Sequence, residues 1–204
     1  ALMNKKAVIF DLDGTLINSM HVWEKADWQL AKKYNFIPDK EYWDTVISCS
    51  FLEGAEYIAN RYELGKTSAE IADELYKIAL FEYENNIGLK DGADQLVKKL
   101  KEDGFSIAIA TSNIEEMTRA VLKKNGIFHY FDAFVYCDSV GKNKSFPDVY
   151  IAAANAMNLE ASECYVFEDV PYAIEGAKNS GAEVIGVFDA YSAGKEQEMR
   201  RKAD

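Results

Sequence analysis

The sequence predicts an α/β fold, with a Rossmann-like parallel sheet as its core and an all-helical domain inserted after the first strand. Two observations predict this fold. Short apolar runs alternate with segments of helical periodicity, which is the pattern of a parallel sheet with right-handed crossovers and helices on both faces. One stretch, from about Ser19 to Leu89, is helical in pattern throughout. The 204 residues suffice for one such core with an insertion.

The first predicted strand is the apolar run Lys6–Phe10, which is followed directly by Asp-Leu-Asp-Gly-Thr. This pattern is typical of a buried strand that ends in a tight turn. Gly14 supplies the backbone freedom that such a turn needs. We therefore expect the two aspartates of this segment to lie at the carboxyl end of a buried strand.

The helical stretch that follows contains no convincing strand. Thr67 and Glu70 have the spacing of a capping box, which predicts a helix beginning there. All three tryptophans, Trp23, Trp28 and Trp43, lie in this stretch. Because they recur at helical spacing, we expect them to build the core of a helical bundle.

After Asp91-Gly92 the alternation of strands and helices begins. Four further strands are predicted: Phe105–Ala110, Ala133–Cys137, Cys164–Phe167 and Glu183–Val187. The predicted division of the chain is residues 1–17 and 90–204 for the sheet domain, and residues 18–89 for the helical insertion. A final helix-like segment, Ala193–Lys202, leads to no further predicted element, and the question whether the natural chain extends beyond Asp204 stays open.

The composition limits the function classes. The chain has 34 acidic against 23 basic residues, a net charge of −11, so we expect no nucleic-acid partner, which would require a basic surface. No apolar run approaches the roughly 18 residues of a membrane span, and no secretion signal is visible. The three cysteines are far apart and form no C-x-x-C pair, which favours a reducing cytoplasm over a disulfide framework. A monomer is the default expectation.

Polar residues cluster where three of the predicted strands end. Asp11 and Asp13 follow the first strand, Thr111–Asn113 follow the second, and Glu168 and Asp169 follow the fourth. In an open parallel sheet the carboxyl ends of the strands line the ligand crevice. Three segments far apart in sequence are therefore predicted to converge on one small volume.

The residue types in this volume predict the chemistry. Four carboxylates at close range repel one another unless a cation neutralises them, and oxygen ligands without cysteine or histidine favour Mg²⁺. Thr111, Ser112 and Asn113 are candidate substrate-binding residues, since hydroxyl, amide and helix N-terminal groups bind phosphate oxygens. Lys144, on a loop before a predicted helix, is a candidate to neutralise a phosphoryl group and a nucleophile. Phosphoryl transfer requires mainly alignment and charge neutralisation.

These residues resemble the four ordered motifs of the haloacid dehalogenase superfamily, and the resemblance spans essentially the whole chain. The matching positions are Asp11-Leu12-Asp13-Gly14-Thr15, Thr111, Lys144 with Pro147-Asp148, and Glu168-Asp169. The spacing to Pro147-Asp148 favours Lys144 over Lys142 as the motif lysine. The helical insertion is similar to the helical cap of the phosphatase and β-phosphoglucomutase branch of this superfamily.

The resemblance implies a mechanism and a site. Asp11 attacks phosphorus and forms an aspartyl-phosphate, and Asp13 protonates the leaving alcohol and then activates water. Lys144 is the third catalytic residue. Mg²⁺ is held by the Asp11 carboxylate, the Asp13 backbone carbonyl and Asp169, with Glu168 binding directly or through water. An aspartate at position 11 favours phosphoryl transfer over dehalogenation, so we expect a Mg²⁺-dependent phosphatase of a small phosphate monoester.

Two alternatives stay open at this point. A sugar phosphomutase of the β-phosphoglucomutase type has a histidine ten residues after the general acid, where this chain has Trp23, and a phosphate-binding arginine in the cap, where Ile47–Ala55 contains no cation. A non-catalytic, metabolite-binding relative is disfavoured by the intact motif residues. The substrate is a small phosphorylated metabolite, with sugar phosphates, phosphoglycolate-like acids and nucleoside monophosphates as unranked candidates.

Overall fold

The computed structural model describes residues 5–46, 49 and 51–204, and the chain divides into two compact units. The sheet unit comprises Ala1–Met20 and Ile87–Asp204, and the helical unit comprises His21–Asn86. The prediction placed these boundaries after residue 17 and before residue 90. Backbone hydrogen bonds explain the difference, because the Asn18 amide donates to the Gly88 carbonyl (3.0 Å) within the sheet unit.

The sheet unit contains five parallel strands in the order β3-β2-β1-β4-β5, which confirms the predicted fold class. The strands are β1 (Ala7–Phe10), β2 (Ser106–Thr111), β3 (Ala133–Tyr136), β4 (Cys164–Glu168) and β5 (Glu183–Gly186). β1 is central and fully buried, as its apolar sequence requires. Thr111 and Glu168 are the last residues of their strands rather than the first residues after them.

The described residues of the helical unit form four helices. They are α1 (Val22–Tyr34), α2 (Lys40–Val46), α3 (Phe51–Arg61) and α4 (Ser68–Asn85). The predicted capping box is present at the start of α4: the Thr67 Oγ1 accepts from the Glu70 amide (3.1 Å), and Glu70 Oε2 accepts from the Thr67 amide (2.8 Å). Satisfying two otherwise unpaired helical amides explains why α4 begins there.

The prediction that the tryptophans build the core of the helical unit is wrong for two of them. Trp23 and Trp28 are 39% and 47% exposed. The buried stripe of α1 instead consists of small and branched residues at a four-residue spacing, namely Val22, Ala26 and Leu30. Trp23 and Trp28 lie outside this buried stripe. Helical spacing of the tryptophans therefore did not predict which face of α1 is buried.

In the part of the sheet unit that the structure describes, six α-helices accompany the strands. They are α5 (Ala93–Glu102), α6 (Glu115–Lys124), α7 (Cys137–Val140), α8 (Asp148–Ala156), α9 (Pro171–Asn179) and α10 (Glu196–Lys202). α8 and α9 contribute Tyr150, Ala153, Ile174 and Ala177 to one continuous apolar core with β1 and β4. None of the described helices combines the length and the hydrophobicity that crossing a bilayer requires.

Candidate active site

The turn after β1 brings two predicted site residues to the carboxyl edge of the sheet. The Asp11 amide donates to the Phe167 carbonyl (3.0 Å), which continues the pairing of β1 with β4 beyond the last strand residue. Gly14 has a φ of +81°, and a Cβ at this position would lie 2.2 Å from Oδ2 of Asp169. A side chain at residue 14 is therefore excluded, because the loop lies directly against the Asp169 carboxylate.

Three carboxylates and one ammonium form a buried charge cluster at this edge. Asp11, Glu168 and Asp169 each place a carboxylate oxygen within 4.8 Å of the others, and all three are buried. The Lys144 Nζ donates to Glu168 Oε1 (2.6 Å) and to Asp11 Oδ1. The Thr15 hydroxyl donates to Asp11 Oδ2 (3.0 Å). The cluster thus unites residues from the ends of β1 and β4 with the loop before α8.

The charges of the cluster act strongly on one another. Burial by itself would lower the pKa of Lys144, but the carboxylates of Asp11 and Glu168 outweigh it and raise that pKa above its ordinary value. Burial and the Asp11 charge raise the pKa values of both Glu168 and Asp169, in each case with burial as the larger cause. One ammonium therefore does not balance three carboxylates, and the site favours a further positive charge.

The donor set fits a divalent cation bound by oxygen. Among the described residues, no donor reaches Asp169 Oδ2, although this atom is buried. A buried carboxylate oxygen without a partner is costly unless a cation or ordered water satisfies it. All candidate ligands are carboxylates, the class that Mg²⁺ prefers. Asp11, Glu168 and Asp169 are therefore the candidate metal ligands among the side chains.

Asp13 lies in a separate hydrogen-bond network. Its Oδ1 accepts from the Ser19 hydroxyl (2.6 Å), and its Oδ2 accepts from the Asn113 side-chain amide (3.2 Å). The Asn113 backbone amide in turn donates to the Thr111 Oγ1 (3.0 Å). The structure therefore links Asp13, Asn113 and Thr111, while the side chain of Asp13 is outside the group of carboxylates that could share a cation.

The predicted residue Ser112 has a different neighbour. Its Oγ lies 3.5 Å from the Sγ of Cys137, the first residue of α7. Cys137 is buried. Ser112 thus contacts a buried thiol, whereas Thr111 and Asn113 belong to the network of Asp13.

A close approach between α9 and a loop fixes the position of Lys144. A Cβ on Gly176 of α9 would lie 2.0 Å from the Lys144 carbonyl oxygen and 3.0 Å from that of Phe146. Lys144 is buried in the charge cluster. Lys142, the alternative lysine of the loop, places its ammonium 4.8 Å from the centre of the Phe146 ring. The geometry agrees with the choice of Lys144.

Two side chains at the site were missed by the sequence reasoning. Ser19 contacts Asp13, and the Tyr150 hydroxyl donates to Glu168 Oε1 (2.8 Å). Ser19 lies at the end of the turn that carries Asp11 and Asp13, so its place beside the motif was a usable signal. Tyr150 carried no such signal, because a tyrosine in an apolar helix is equally compatible with plain packing.

The stretch Ile47–Ala55 contains no cation where the phosphomutase pattern has a phosphate-binding arginine. Three of its residues, Ile47, Ser48 and Ser50, lie outside the described residues. Trp23, which stands where the mutase pattern has a histidine, is the second residue of α1.

Comparisons with known proteins agree on one family. The family model described as haloacid dehalogenase-like hydrolase matches residues 8–187. Hexitol phosphatase A of Escherichia coli is 30% identical over 91% of this chain and 84% of its own length. Validoxylamine A 7'-phosphate phosphatase of Streptomyces hygroscopicus is 29% identical over 92% of this chain and 88% of its own. A crystal structure from Thermotoga maritima, with a provisional β-phosphoglucomutase assignment, shares the fold with a TM-score of 0.84 at 22% identity, covering 97% of this chain and 91% of that chain.

Proposed function

The chain belongs to the haloacid dehalogenase-like hydrolase family, and on that premise we propose that it is a Mg²⁺-dependent phosphatase in which Asp11 attacks a small phosphate monoester. The observation that carries the proposal is the buried cluster of Asp11, Glu168 and Asp169 around Lys144. With a divalent cation bound, such a cluster would neutralise and align a phosphoryl group, which is most of what phosphoryl transfer requires. The names of two relatives, each a phosphatase, support the same reaction class.

The residues proposed to hold Mg²⁺ are Asp11, Glu168 and Asp169, together with the backbone carbonyl of Asp13. The unpartnered Oδ2 of Asp169 supports this assignment. When bound, the ion supplies positive charge to the phosphoryl oxygens and lowers their repulsion of an anionic nucleophile. Ser112, Thr111 and Asn113 are the proposed substrate-binding residues.

Asp11 is the proposed nucleophile. Thr15 and Lys144 each donate to one of its oxygens, so the carboxylate is held in a fixed orientation. In the first step an oxygen of Asp11 forms a bond to phosphorus while the bond from phosphorus to the ester oxygen breaks. Lys144 offsets the negative charge that the nucleophile and the phosphoryl group bring together. The product of this step is an aspartyl-phosphate.

Asp13 is the proposed general acid and base. In the first step it delivers a proton to the leaving alcohol oxygen, and in the second step its carboxylate takes a proton from the water that attacks the aspartyl-phosphate. The hydrogen bonds from Ser19 and Asn113 support this role, since they orient the carboxylate without cancelling its charge. The second step returns Asp11 to its starting form and releases inorganic phosphate.

The proposed substrate is a phosphorylated carbohydrate or polyol. This choice is supported by the relatives, whose names specify a phosphatase of hexitol and of validoxylamine A 7'-phosphate. The other two candidate classes, phosphoglycolate-like acids and nucleoside monophosphates, rank below it. The reducing cytoplasm remains the proposed location, since Cys49, Cys137 and Cys164 are free thiols.

The test is phosphate release from a panel of phosphorylated metabolites, measured with Mg²⁺ and with a chelator, beside the variant Asp11→Asn. We expect release that depends on Mg²⁺ and that falls at least about a thousandfold in the variant, because removal of a covalent nucleophile disables the whole mechanism. Circular dichroism confirms that the variant is folded. The proposal would be contradicted if phosphate release persisted in Asp11→Asn, or if the folded wild type released no phosphate from any compound of the panel.

A further inference from the structure

Tyr150 occupies a place in the charge cluster that its sequence context does not indicate. It is the third residue of α8, and its side chain is fully buried. Its hydroxyl lies 2.8 Å from Glu168 Oε1, and its ring centre lies 6.0 Å from the Lys144 Nζ. Tyr150 therefore contacts both ends of the Lys144–Glu168 ion pair from inside the protein.

Glu168 Oε1 accepts two hydrogen bonds, one from Lys144 (2.6 Å) and one from Tyr150 (2.8 Å). Its other oxygen, Oε2, has a longer contact of 3.3 Å with the Asp169 amide. Two short bonds to the same oxygen determine the rotation of the carboxylate about its terminal bond, which is otherwise soft. The less tightly bonded oxygen, Oε2, keeps acceptor capacity for another ligand.

The Tyr150 hydroxyl has a second acceptor within reach, the Ala173 carbonyl oxygen at 3.3 Å. A hydroxyl has one proton to donate, so it donates to either Glu168 Oε1 or the Ala173 carbonyl oxygen. The bond to Glu168 is shorter, and a bond to an ionised carboxylate is stronger than a bond to a neutral carbonyl. The Ala173 carbonyl, at the start of α9, thus serves as a weaker second neighbour that keeps the hydroxyl in place.

We infer that Tyr150 is a positioning residue of the metal site, which holds Glu168 in the orientation that binds Mg²⁺. This inference rests on the proposed function, since it takes Glu168 as a ligand, direct or through water. Tyr150 touches neither the ion nor the substrate and acts through Glu168. Groups that orient a metal ligand from behind change metal affinity or activity by about 10–100-fold when they are removed.

The test compares wild type with Tyr150→Phe, which removes the hydroxyl and keeps the buried ring. Mn²⁺ serves as the probe, because carboxylate sites for Mg²⁺ also accept Mn²⁺ and free Mn²⁺ is counted by electron paramagnetic resonance. We expect the Kd for Mn²⁺ on the substrate-free protein to rise about tenfold. Phosphatase assays should show an equal rise in the Mg²⁺ concentration needed for half-maximal rate, with an unchanged substrate KM at saturating Mg²⁺.

A matched control separates this effect from the loss of any buried hydroxyl. Tyr83→Phe removes the hydroxyl of another fully buried tyrosine, in α4 of the helical unit, and should leave the Kd for Mn²⁺ unchanged. Melting curves of both variants show whether either change merely weakens the fold.

A double-mutant cycle tests whether Tyr150 acts through Glu168. In a Glu168→Gln background, Tyr150→Phe should have little further effect on the Kd, because the carboxylate that it orients is gone. Equal effects in both backgrounds, or a Kd in Tyr150→Phe within about twofold of wild type, would overturn the inference. Failure of the proposed function has a different result, since the wild type would then bind Mn²⁺ without releasing phosphate from any ester.

Discussion

Asp11 and Asp13 accept hydrogen bonds from different donors, and these donors are compatible with the different roles proposed for the two aspartates. Asp11 accepts hydrogen bonds from Thr15 and from the Lys144 ammonium, which fix the orientation of the proposed nucleophile. Asp13 is held by the neutral donors Ser19 and Asn113. Neutral donors orient a carboxyl group with less bias against its protonated form than a cation exerts. These hydrogen bonds are consistent with the proposed nucleophilic attack by Asp11 and the proposed proton transfer by Asp13, two residues further along the chain.

The roles proposed for the two aspartates predict opposite phosphoenzyme levels in two variants. Asp13→Asn should slow the overall rate by about 10²–10⁴-fold, because general acid–base assistance is lost in both steps. With a substrate whose leaving group needs no proton, the first step survives and the aspartyl-phosphate accumulates. Acid quenching after mixing with a ³²P-labelled aryl phosphate measures it. Asp11→Asn is the control and should trap no label; equal labelling of both variants would argue against these roles.

At the level of elements, two close approaches set the geometry of the site. The turn after β1 lies against Asp169, where Gly14 leaves no room for a Cβ, and α9 lies against the Lys144 loop at Gly176. In both places a backbone segment is brought within contact distance of a charged residue of the cluster. The positions of Lys144 and Asp169 therefore depend on helix and loop packing as well as on their own hydrogen bonds.

Gly176→Ala should displace the Lys144 loop. The added Cβ meets backbone atoms at 2.0 Å, so the loop or α9 has to move. We expect a loss of stability of about 1–3 kcal/mol and a fall in kcat of about a hundredfold from misplaced Lys144. Gly54→Ala is the control. Residue 54 lies within α3, where among the described residues an added Cβ meets only Cys49, at 3.8 Å, and the change should stabilise the protein by about 0.5–1 kcal/mol. A wild-type kcat in Gly176→Ala would contradict the expectation that packing of α9 against the loop positions Lys144 for the reaction.

The helical unit contains an aspartate whose ionisation opposes folding. Burial, with a smaller contribution from Glu24, raises the pKa of Asp27 in α1 to about 6, and the neighbouring Tyr42 hydroxyl offsets part of this. The folded protein therefore binds more protons than the unfolded chain between about pH 4 and about pH 6. Stability falls as the pH rises through this window, by up to about 3 kcal/mol.

Asp27→Asn removes this titration and should become more stabilising as the pH rises. The free energy of unfolding of Asp27→Asn, measured by urea denaturation relative to wild type, should increase by about 1–2 kcal/mol between about pH 5 and about pH 7.5. Asp73→Asn, a change at an exposed position of α4 paired with Lys77, should show no such growth. An advantage of Asp27→Asn that is independent of pH would mean that Asp27 is not desolvated in the folded state.

The sequence predicted those features that depend on local pattern. Buried strands, the capping box at Thr67 and the order of the motifs each have a short-range signature, and the first two are confirmed by the structure. The contact of Tyr150 with Glu168 joins the first turn of α8 to the end of β4. The two residues are 18 positions apart in sequence, and no local pattern encodes their contact. The exposure of Trp23 and Trp28 was mispredicted for a related reason, since helical spacing alone does not say which face of α1 is buried.

The whole molecule carries a strong negative charge, and its candidate active site buries part of that charge. The net charge is −11, and one buried lysine, Lys144, pairs with two of the three buried carboxylates, Asp11 and Glu168. Folding without a cation therefore has to tolerate repulsion within the cluster or protonate some of its members. Any cation that binds the folded cluster and not the unfolded chain shifts the folding equilibrium toward the native state.

Mg²⁺ should accordingly stabilise the entire chain against heat. At about a hundred times its Kd, a ligand that binds only the folded state adds about 2.7 kcal/mol, which for a chain of this size raises the melting temperature by roughly 5–10 °C. Asp169→Asn should lose most of this increase in melting temperature, because it removes the charge of a buried oxygen that has no donor among the described residues. The control, Asp103→Asn, changes an exposed position after α5 and should keep the increase. Differential scanning calorimetry in chelator and in Mg²⁺ measures the three proteins. An equal shift in all of them would place the stabilising cation elsewhere than in the Asp11–Glu168–Asp169 cluster.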